Sequence, residues 1–222
     1  MRARLNSMFF TQTTFDSASP VGSAVVAHRF DGEGDYDIHV GRSGDSARRM
    51  ALVVGAGGPD GAHGAVAIDT TPTTSDAVTV RRGRLAVGGY ASFSTPSARG
   101  ADTVIIARRR GSESDEFDSR RLGPGDVYGL TLVRPGVYSV RNTHDDAAGR
   151  IVVDYPVVGA RPYRPAEPLR VSCMRNQLVP SEIRIGPGQG IVFEIETDAR
   201  LLIDLVEPDD GPEPRHRCSV RR

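Results

Sequence analysis

The chain has 222 residues with 28 basic and 28 acidic side chains, so its formal net charge is zero, and every basic residue is an arginine. A chain without net charge has no overall field that would draw it to nucleic acid or to an anionic membrane. No segment approaches the roughly 18 consecutive apolar residues of a membrane-spanning helix. The composition therefore argues against nucleic-acid and membrane partners.

The N-terminal residues 1–20 are polar and rich in serine and threonine. They contain no apolar core of the length that a signal peptide needs, so we expect a cytoplasmic protein or a part of a particle assembled in the cytoplasm. Residues 1–20 are predicted to form an extended arm that docks onto a partner.

Short segments rich in β-branched and aromatic residues follow the arm, and glycines and prolines separate them. This spacing is typical of a β-sandwich or barrel. A charged loop is expected at 111–121. Seven strands are predicted before that loop, at 23–30, 36–40, 49–54, 65–69, 77–81, 84–93 and 103–109.

Residues 122–156 have the clearest pattern, which reads turn, strand, turn, strand, loop, strand. Gly123-Pro124-Gly125-Asp126 has turn chemistry, because proline presets φ and glycine tolerates positive φ. Strand formers follow at 127–133 and 137–140, on either side of a turn at Pro135-Gly136. A polar loop then leads into a third strand at 151–153.

This stretch resembles the closing strands of a cupredoxin-like domain. The resemblance implies an all-β fold, an antiparallel β-sandwich of cupredoxin-like or jelly-roll-like form. A copper-binding member would carry a cysteine, a histidine and usually a methionine in the loop at 141–148, where this chain has only His144. We therefore predict no type 1 copper site there. The matching residues are Pro124-Gly125, Tyr128, Pro135-Gly136, Tyr138, Val140, Gly149, Ile151 and Val153.

The C-terminal third suggests a second, smaller unit, although one extended domain remains an alternative. A main sandwich is predicted at 21–157, a proline-rich linker at 158–168, a small β module at 169–206 and a polar tail at 207–222. Within the module, strands are predicted at 169–174, 181–185, 191–196 and 200–206. Residues 122–133 and 185–196 have weakly similar sequences, which is compatible with either a duplication or two independent tight turns.

The densest group of possible metal ligands lies at 31–39. If 35–40 is a strand, Asp35, Asp37 and His39 share one face, and His28 on the preceding strand could join them. Carboxylates and imidazoles could hold a divalent metal ion. The alternative is a solvated polar face of an antiparallel hairpin, with no cofactor at all.

Two other groups offer weaker signals. Cys173-Met174 with His144 could form a rearranged copper site. His216 and Cys218 lie in the polar tail. The thiols of Cys173 and Cys218 are both predicted to be free. Arginines cluster at 81–84, 108–110 and 120–121, and we expect them to pair with carboxylates of the chain or across a subunit contact rather than with phosphate.

No catalytic constellation emerges from these patterns. We expect a non-catalytic structural or assembly protein that docks onto neighbouring subunits, its own copies or a larger assembly, through terminal arms and charged loops. The alternative is a metal-binding or electron-transfer protein of cupredoxin ancestry, or an accessory subunit of an enzyme complex.

Overall fold

The computed structural model describes residues 8–41, 48–56, 64–70, 82–95, 103–109, 115–155 and 162–211. Within these ranges the chain forms one short helix, α1 (Met8–Thr11), and a succession of β-strands. The strands are β1 (Thr14–Asp16), β2 (Ala24–Arg29), β3 (Gly34–Gly41), β4 (Arg48–Gly55), β5 (Ala65–Asp69), β6 (Arg82–Ala86), β7 (Tyr90–Ser94), β8 (Thr103–Arg108), β9 (Asp115–Asp118), β10 (Val127–Thr131), β11 (Gly136–Asn142), β12 (Ala148–Val153), β13 (Leu169–Met174), β14 (Gln177–Val179), β15 (Glu182–Ile185), β16 (Gly190–Ile195) and β17 (Leu201–Pro208).

The strands form three sheets. The central sheet has seven strands in the order β14-β13-β16-β10-β2-β7-β5. The C-terminal sheet has the order β1-β17-β11-β12-β15, and the N-terminal sheet has the order β6-β4-β3-β8-β9. The predicted all-β sandwich is confirmed, but its sheets are mixed, because β4–β6, β5–β7, β12–β15 and β13–β16 pair in parallel.

Both five-stranded sheets cover the same face of the central sheet. Val26 and Tyr128 are paired neighbours on β2 and β10, and both are fully buried. On this face Phe93 of the central sheet stacks on Phe117 of the N-terminal sheet at 6.0 Å. A Cβ placed on Gly149 of the C-terminal sheet would lie 3.1 Å from Leu178 of the central sheet. One hydrophobic core therefore lies between the central sheet and both five-stranded sheets.

The two halves have the same strand connectivity. In order, β2, β3, β4, β5, β6, β7 and β8 correspond to β10, β11, β12, β13, β15, β16 and β17. Every pairing of the first set recurs in the second with the same direction, including both parallel ones. The antiparallel pair β2–β10 joins the halves at an approximate twofold axis.

Individual hydrogen bonds repeat as well. The Gly88 amide donates to the Phe30 carbonyl at 2.7 Å, and the Gly188 amide donates to the Leu132 carbonyl at the same distance. Both glycines have positive φ, 81° and 78°, which is the left-handed turn conformation that favours glycine. The hydroxyls of Tyr36 and Tyr138 each donate to the carbonyl four residues before them, at 2.8 and 2.9 Å.

Two short strands of matching sequence each complete the edge of one half. Phe15-Asp16-Ser17 includes the end of β1, and Phe117-Asp118-Ser119 includes the end of β9. β9 follows β8 directly and pairs with it, whereas β1, from the N-terminus of the chain, pairs with the last strand, β17. The N-terminal strand therefore closes the C-terminal half.

The predicted N-terminal arm is thus corrected in one respect. Within 1–20, residues 1–7 lie outside the described residues, and β1 lies on the chain's own C-terminal sheet, where Phe15 is buried. The physical reason is that β17 would otherwise present an unpaired edge and an open apolar position.

Three other local predictions differ from the structure. The charged loop expected at 111–121 contains β9, whose Phe117 is a core residue. The single strand expected at 84–93 is two strands, β6 and β7, separated by the turn at Gly88. The strand predicted at 77–81 lies outside the described residues.

The small module expected at 169–206 does not form a sheet of its own. Its strands β13 and β16 extend the central sheet from β10, while β15 pairs with β12 and β17 with β11. Of the predicted linker at 158–168, residues 158–161 lie outside the described residues. The weak sequence similarity between 122–133 and 185–196 does not mark the structural repeat. β10 and β16 are antiparallel neighbours within one half, and the counterpart of β10 is β2.

Candidate functional site

The most unusual buried polar group is the pair of His28 and Asp126 at the boundary between the halves. His28 ends the inward-facing series Ala24, Val26, His28 on β2, and Asp126 immediately precedes β10. Because Ala27 pairs with Val127, the antiparallel register places His28 opposite Asp126. Their Nδ1 and Oδ1 atoms are 2.7 Å apart, and the two residues are only 8% and 5% exposed.

The surroundings hold both side chains in place. The imidazole lies 4.9 Å from the rings of Phe30 and Phe117, which come from the two sheets of the N-terminal half. The other carboxylate oxygen of Asp126 accepts a hydrogen bond from the Gly123 amide at 2.7 Å. The imidazole Nε2 is buried and has no hydrogen-bond partner among the described residues. A carboxylate that holds one nitrogen of a histidine fixes the orientation of the other.

A cleft of about 420 Å³ opens beside this pair. Arg121 and Asp198 form an ion pair that links the two halves beside the cleft. Burial raises the pKa of Asp118, but hydrogen bonds from Arg120 outweigh this effect and leave the pKa below its usual value. Besides His28 and Asp126, charged residues that line the cleft are Glu116, Asp118, Arg121 and Asp198.

The geometry resembles the histidine–carboxylate part of a catalytic or metal-binding arrangement, but the remaining parts are not present in the described ranges. A triad needs a nucleophile hydrogen-bonded to the second imidazole nitrogen, and no residue that the structure describes is bonded to Nε2. No group of three histidine, cysteine, aspartate or glutamate side chains suitable for a metal ion occurs among the described residues. The pair therefore orients an imidazole without supplying the rest of a reactive centre.

The fold itself does not require this polar pair. The approximate twofold axis relates His28 to Leu130 and Asp126 to Ala24. Leu130 and Ala24 are also cross-strand neighbours, and both are buried. One side of the axis is thus polar and the other apolar at equivalent backbone positions.

The structure divides the four predicted metal residues between two places. Asp35, Asp37 and His39 alternate on β3 and face outward from the N-terminal sheet, as the strand period predicts. His28 lies on the central sheet and faces the core, so it does not join them. Arg109 donates to both carboxylate oxygens of Asp37, and this hydrogen bonding holds the pKa of Asp37 below its usual value.

The rearranged copper site is also not assembled. Cys173 is fully buried on β13, and burial raises the pKa of its thiol to about 11. Met174 follows it on the strand, faces the opposite side and is 41% exposed. His144 is exposed in the β11–β12 loop, with its Nε2 3.4 Å from the Arg120 carbonyl. His216 and Cys218 lie outside the described residues, so the expectation of two free thiols stays a prediction.

Four arginines of the clusters at 108–110 and 120–121 have partners within the chain. Arg109 pairs with Asp37, Arg120 with Asp118, and Arg121 with Asp198. Arg108 lies over the ring of Tyr36, with its guanidinium carbon 5.9 Å from the ring centre. Pairing within the protein is therefore observed at these positions.

Sequence reasoning missed the role of Asp126, which it assigned to a turn. The signal was present but incomplete: the alternation Ala24, Val26, His28 predicts an inward-facing histidine, yet nothing in the sequence reveals which strand lies beside β2. Only the long-range β2–β10 register shows that Asp126 is its neighbour.

Comparisons with known proteins gave no match to a family, to a curated protein or to a solved structure. Within the described residues, no helix is long and apolar enough to cross a membrane.

Proposed function

We propose that the protein is a non-catalytic structural component that assembles with copies of itself through the outer face of the central sheet. The observation that carries this proposal is the chemistry of that face. Four adjacent strands, β16, β10, β2 and β7, present there a set of side chains that are small or apolar and half-buried, although a quarter of the whole chain is charged. These residues are Val25, Ala27, Ser92, Ser94, Val127, Gly129, Thr131 and Val192.

Charged side chains lie only at the margins of this set. Arg29 lies at the end of β2, and Glu194 forms an ion pair with Arg170 toward the β13 edge. A neutral centre with a charged margin of both signs is the usual composition of a protein–protein contact. Margins of mixed sign also allow a second copy to meet the same surface with complementary charges.

The outward face of the N-terminal five-stranded sheet is charged, unlike that of the central sheet. On β3 the outward positions are Asp35, Asp37 and His39, and Arg49 lies beside them on β4. Such a face is well hydrated, because charged side chains are costly to bury without partners. The contrast favours the central sheet as the docking surface.

The dimensions of the central sheet suit a pairwise contact. Seven strands spaced about 4.8 Å apart and five residues long cover an area of about 34 by 17 Å. This is of the same order as the roughly 800 Å² per partner of a standard interface. Small outward side chains also let two sheets approach to the usual packing distance of about 10 Å.

The proposal can be tested with Ala27→Arg, which places a charge in the middle of the neutral face. Ala51→Arg is the matched control, because Ala51 is also half-buried but lies on β4 in the N-terminal sheet, beside Asp37. In sedimentation or light-scattering measurements we expect the wild type and Ala51→Arg to self-associate and Ala27→Arg to be a monomer. A wild type that is monomeric at high concentration, or an Ala27→Arg variant that associates normally, would refute the proposal.

A cupredoxin ancestry for each half forms part of this proposal. Its support is the recurrence of the Gly-x-Tyr hairpin at Gly34 and Gly136, with the same tyrosine-to-carbonyl hydrogen bond. A divalent-metal function on the face of Asp35, Asp37 and His39 has less support, because Arg109 occupies both oxygens of Asp37. Metal analysis of the purified protein would test that alternative directly.

A further inference from the structure

We infer that the cleft beside His28 and Asp126 is a binding site for a small organic cation that carries N–H groups, such as a primary ammonium or guanidinium ion. The site is separate from the docking face of the proposed assembly. His28 faces the inner side of the central sheet, whereas the docking residues face the outer side. The inference therefore goes beyond the proposed function and does not depend on it.

The burial of the residues that line the cleft distinguishes its floor from its rim. The buried lining residues, which form the floor, are His28, Phe117 and Asp126. The exposed ones, which form the rim, are Glu116, Arg121 and Pro124. The volume of about 420 Å³ lies within the range of small-molecule sites in proteins, which is roughly 300–1,000 Å³.

The floor offers a hydrogen-bond acceptor whose orientation is fixed. A carboxylate can only accept, so the His28 Nδ1, 2.7 Å from the Asp126 Oδ1, carries the hydrogen of this contact. In a neutral imidazole the other nitrogen, Nε2, is then an acceptor. It is buried, and no residue that the structure describes is bonded to it. The group that satisfies such an atom is a hydrogen-bond donor.

The lining of the cleft is mostly negative. Four of its side chains are acidic and one is an arginine. Arg121 pairs with Asp198, and Arg120 pairs with Asp118, but Glu116 at the rim forms no ion pair with a described residue. A cation is attracted to such a lining. An ammonium or guanidinium ion also has only hydrogen-bond donors, so it matches both the carboxylates and Nε2.

An organic cation fits this lining better than a metal ion does. A histidine whose second nitrogen is held by a carboxylate is a common metal ligand. Within the described ranges, however, no three histidine, cysteine, aspartate or glutamate side chains lie close enough together to hold an ion. Phe117 and Pro124 add apolar surface to the cleft, which suits the carbon atoms of an organic ligand.

The approximate symmetry of the fold gives an independent reason to assign a ligand to this pair. The equivalent positions on the other side of the axis hold Leu130 and Ala24, which are also buried. The backbone at this boundary therefore does not need a polar pair, and burying polar groups costs free energy unless they are hydrogen-bonded. A bound donor at Nε2 accounts for the polar pair on one side only.

Two cations of equal charge test the role of Nε2. Butylammonium has N–H donors and is charged at pH 7, since alkylamines titrate near pH 10.4, whereas butyltrimethylammonium has none. NMR titration of the full chain with ¹⁵N-labelled histidine measures both, and the His28 signals are those missing from the H28L/D126A variant. We expect butylammonium to shift the Nε2 signal and to bind at least tenfold more tightly than its trimethylated analogue. Equal affinities would overturn the inference.

Variants of the chain test the location of the site. H28L/D126A copies the apolar pair of the other side and should weaken butylammonium binding at least tenfold. Glu116→Gln should weaken it about threefold. Glu182→Gln is the matched control, because Glu182 is also exposed but lies on β15, away from the cleft, and it should bind like the wild type.

Wild-type affinity in a folded H28L/D126A variant would refute the site. If that variant does not fold, equal affinities of Glu116→Gln and Glu182→Gln refute it instead. Titration with Zn²⁺ tests the ligand class, because a shift of the Nε2 signal by Zn²⁺ and not by butylammonium would make this a metal site and the inference wrong. Sedimentation without either cation tests the docking face alone, so failure of the proposed function is distinguishable from failure of this inference.

Discussion

The two halves of this protein share a backbone hydrogen-bonding scheme but not the chemistry of their side-chain pairs. The Phe-Asp-Ser strands and the turns at Gly88 and Gly188 recur with nearly the same distances. At the β2–β10 boundary, by contrast, His28–Asp126 on one side of the axis corresponds to Leu130–Ala24 on the other. Features that satisfy the backbone are therefore the ones that the two halves have in common, while a buried side-chain pair can be polar or apolar.

The largest expected effect tests whether the two Phe-Asp-Ser strands are energetically equivalent. Phe15→Ala and Phe117→Ala each remove a core aromatic residue and should lower the free energy of unfolding by about 3–5 kcal/mol. Urea denaturation measures this loss, and Phe10→Ala, at a half-exposed position, is a control that should change little. A much smaller cost for Phe15→Ala would mean that β1 detaches from β17 without unfolding the rest.

The next prediction concerns the polar pair. Asp126→Ala leaves the His28 Nδ1 and the Gly123 amide without their partner, so it should lower the free energy of unfolding by about 1–3 kcal/mol. The double variant H28L/D126A copies the apolar pair of Leu130 and Ala24, and should recover about 1 kcal/mol or more. If the double variant is no more stable than Asp126→Ala, the polar and apolar sides are not interchangeable.

The two serines allow a finer comparison. Ser17→Ala and Ser119→Ala each remove the acceptor of a buried amide, at a cost of about 1–3 kcal/mol. Ser119→Ala should cost more, because the Ser119 Oγ also donates to the Ala18 carbonyl, two residues after the end of β1. Thermal unfolding measures both, with Ser139→Ala on the outward side of β11 as the control. Equal losses of stability would show that the hydrogen bond between Ser119 and Ala18 does not contribute to the free energy of unfolding.

The smallest effect concerns Asp118 of β9 and depends on pH. The pKa of Asp118 is below its usual value in the folded state, so its contribution to stability is present above pH 3.8 and is lost as the pH falls through the folded-state pKa. Asp118→Asn should therefore reduce stability at neutral pH by about 1 kcal/mol or less. The difference between Asp118→Asn and the wild type should vanish in acid; a difference that persists below the folded-state pKa would contradict this assignment.

Much of the fold follows from local patterns in the sequence. The predicted strand at 169–174 coincides with β13, and the strand at 65–69 coincides with β5. Strands β3 and β4 agree within two residues at each end. These segments combine β-forming residues with clear turns, so short-range chemistry is sufficient to place them.

The pairing of the strands did not follow from the sequence. β1 and β9 were missed because each is very short and lies among polar residues, so only one aromatic side chain in each marks a core position. The equivalence of the halves was missed because it is expressed in hydrogen bonds to backbone atoms, which many residue types can make. The His28–Asp126 site depends on that same long-range pairing.

The closure of the chain by β1 has a consequence for the order of events during synthesis. β9 emerges right after β8, so the N-terminal half can be completed while the rest of the chain is still being made. The Asp16–Arg200 contact spans 184 positions, and at 5–20 residues per second the first strand waits about 10–40 seconds for its partner. Throughout that interval the apolar side chain of Phe15 lacks the strand that buries it, so the pairing of β1 with β17 can form only after nearly the whole chain has been made.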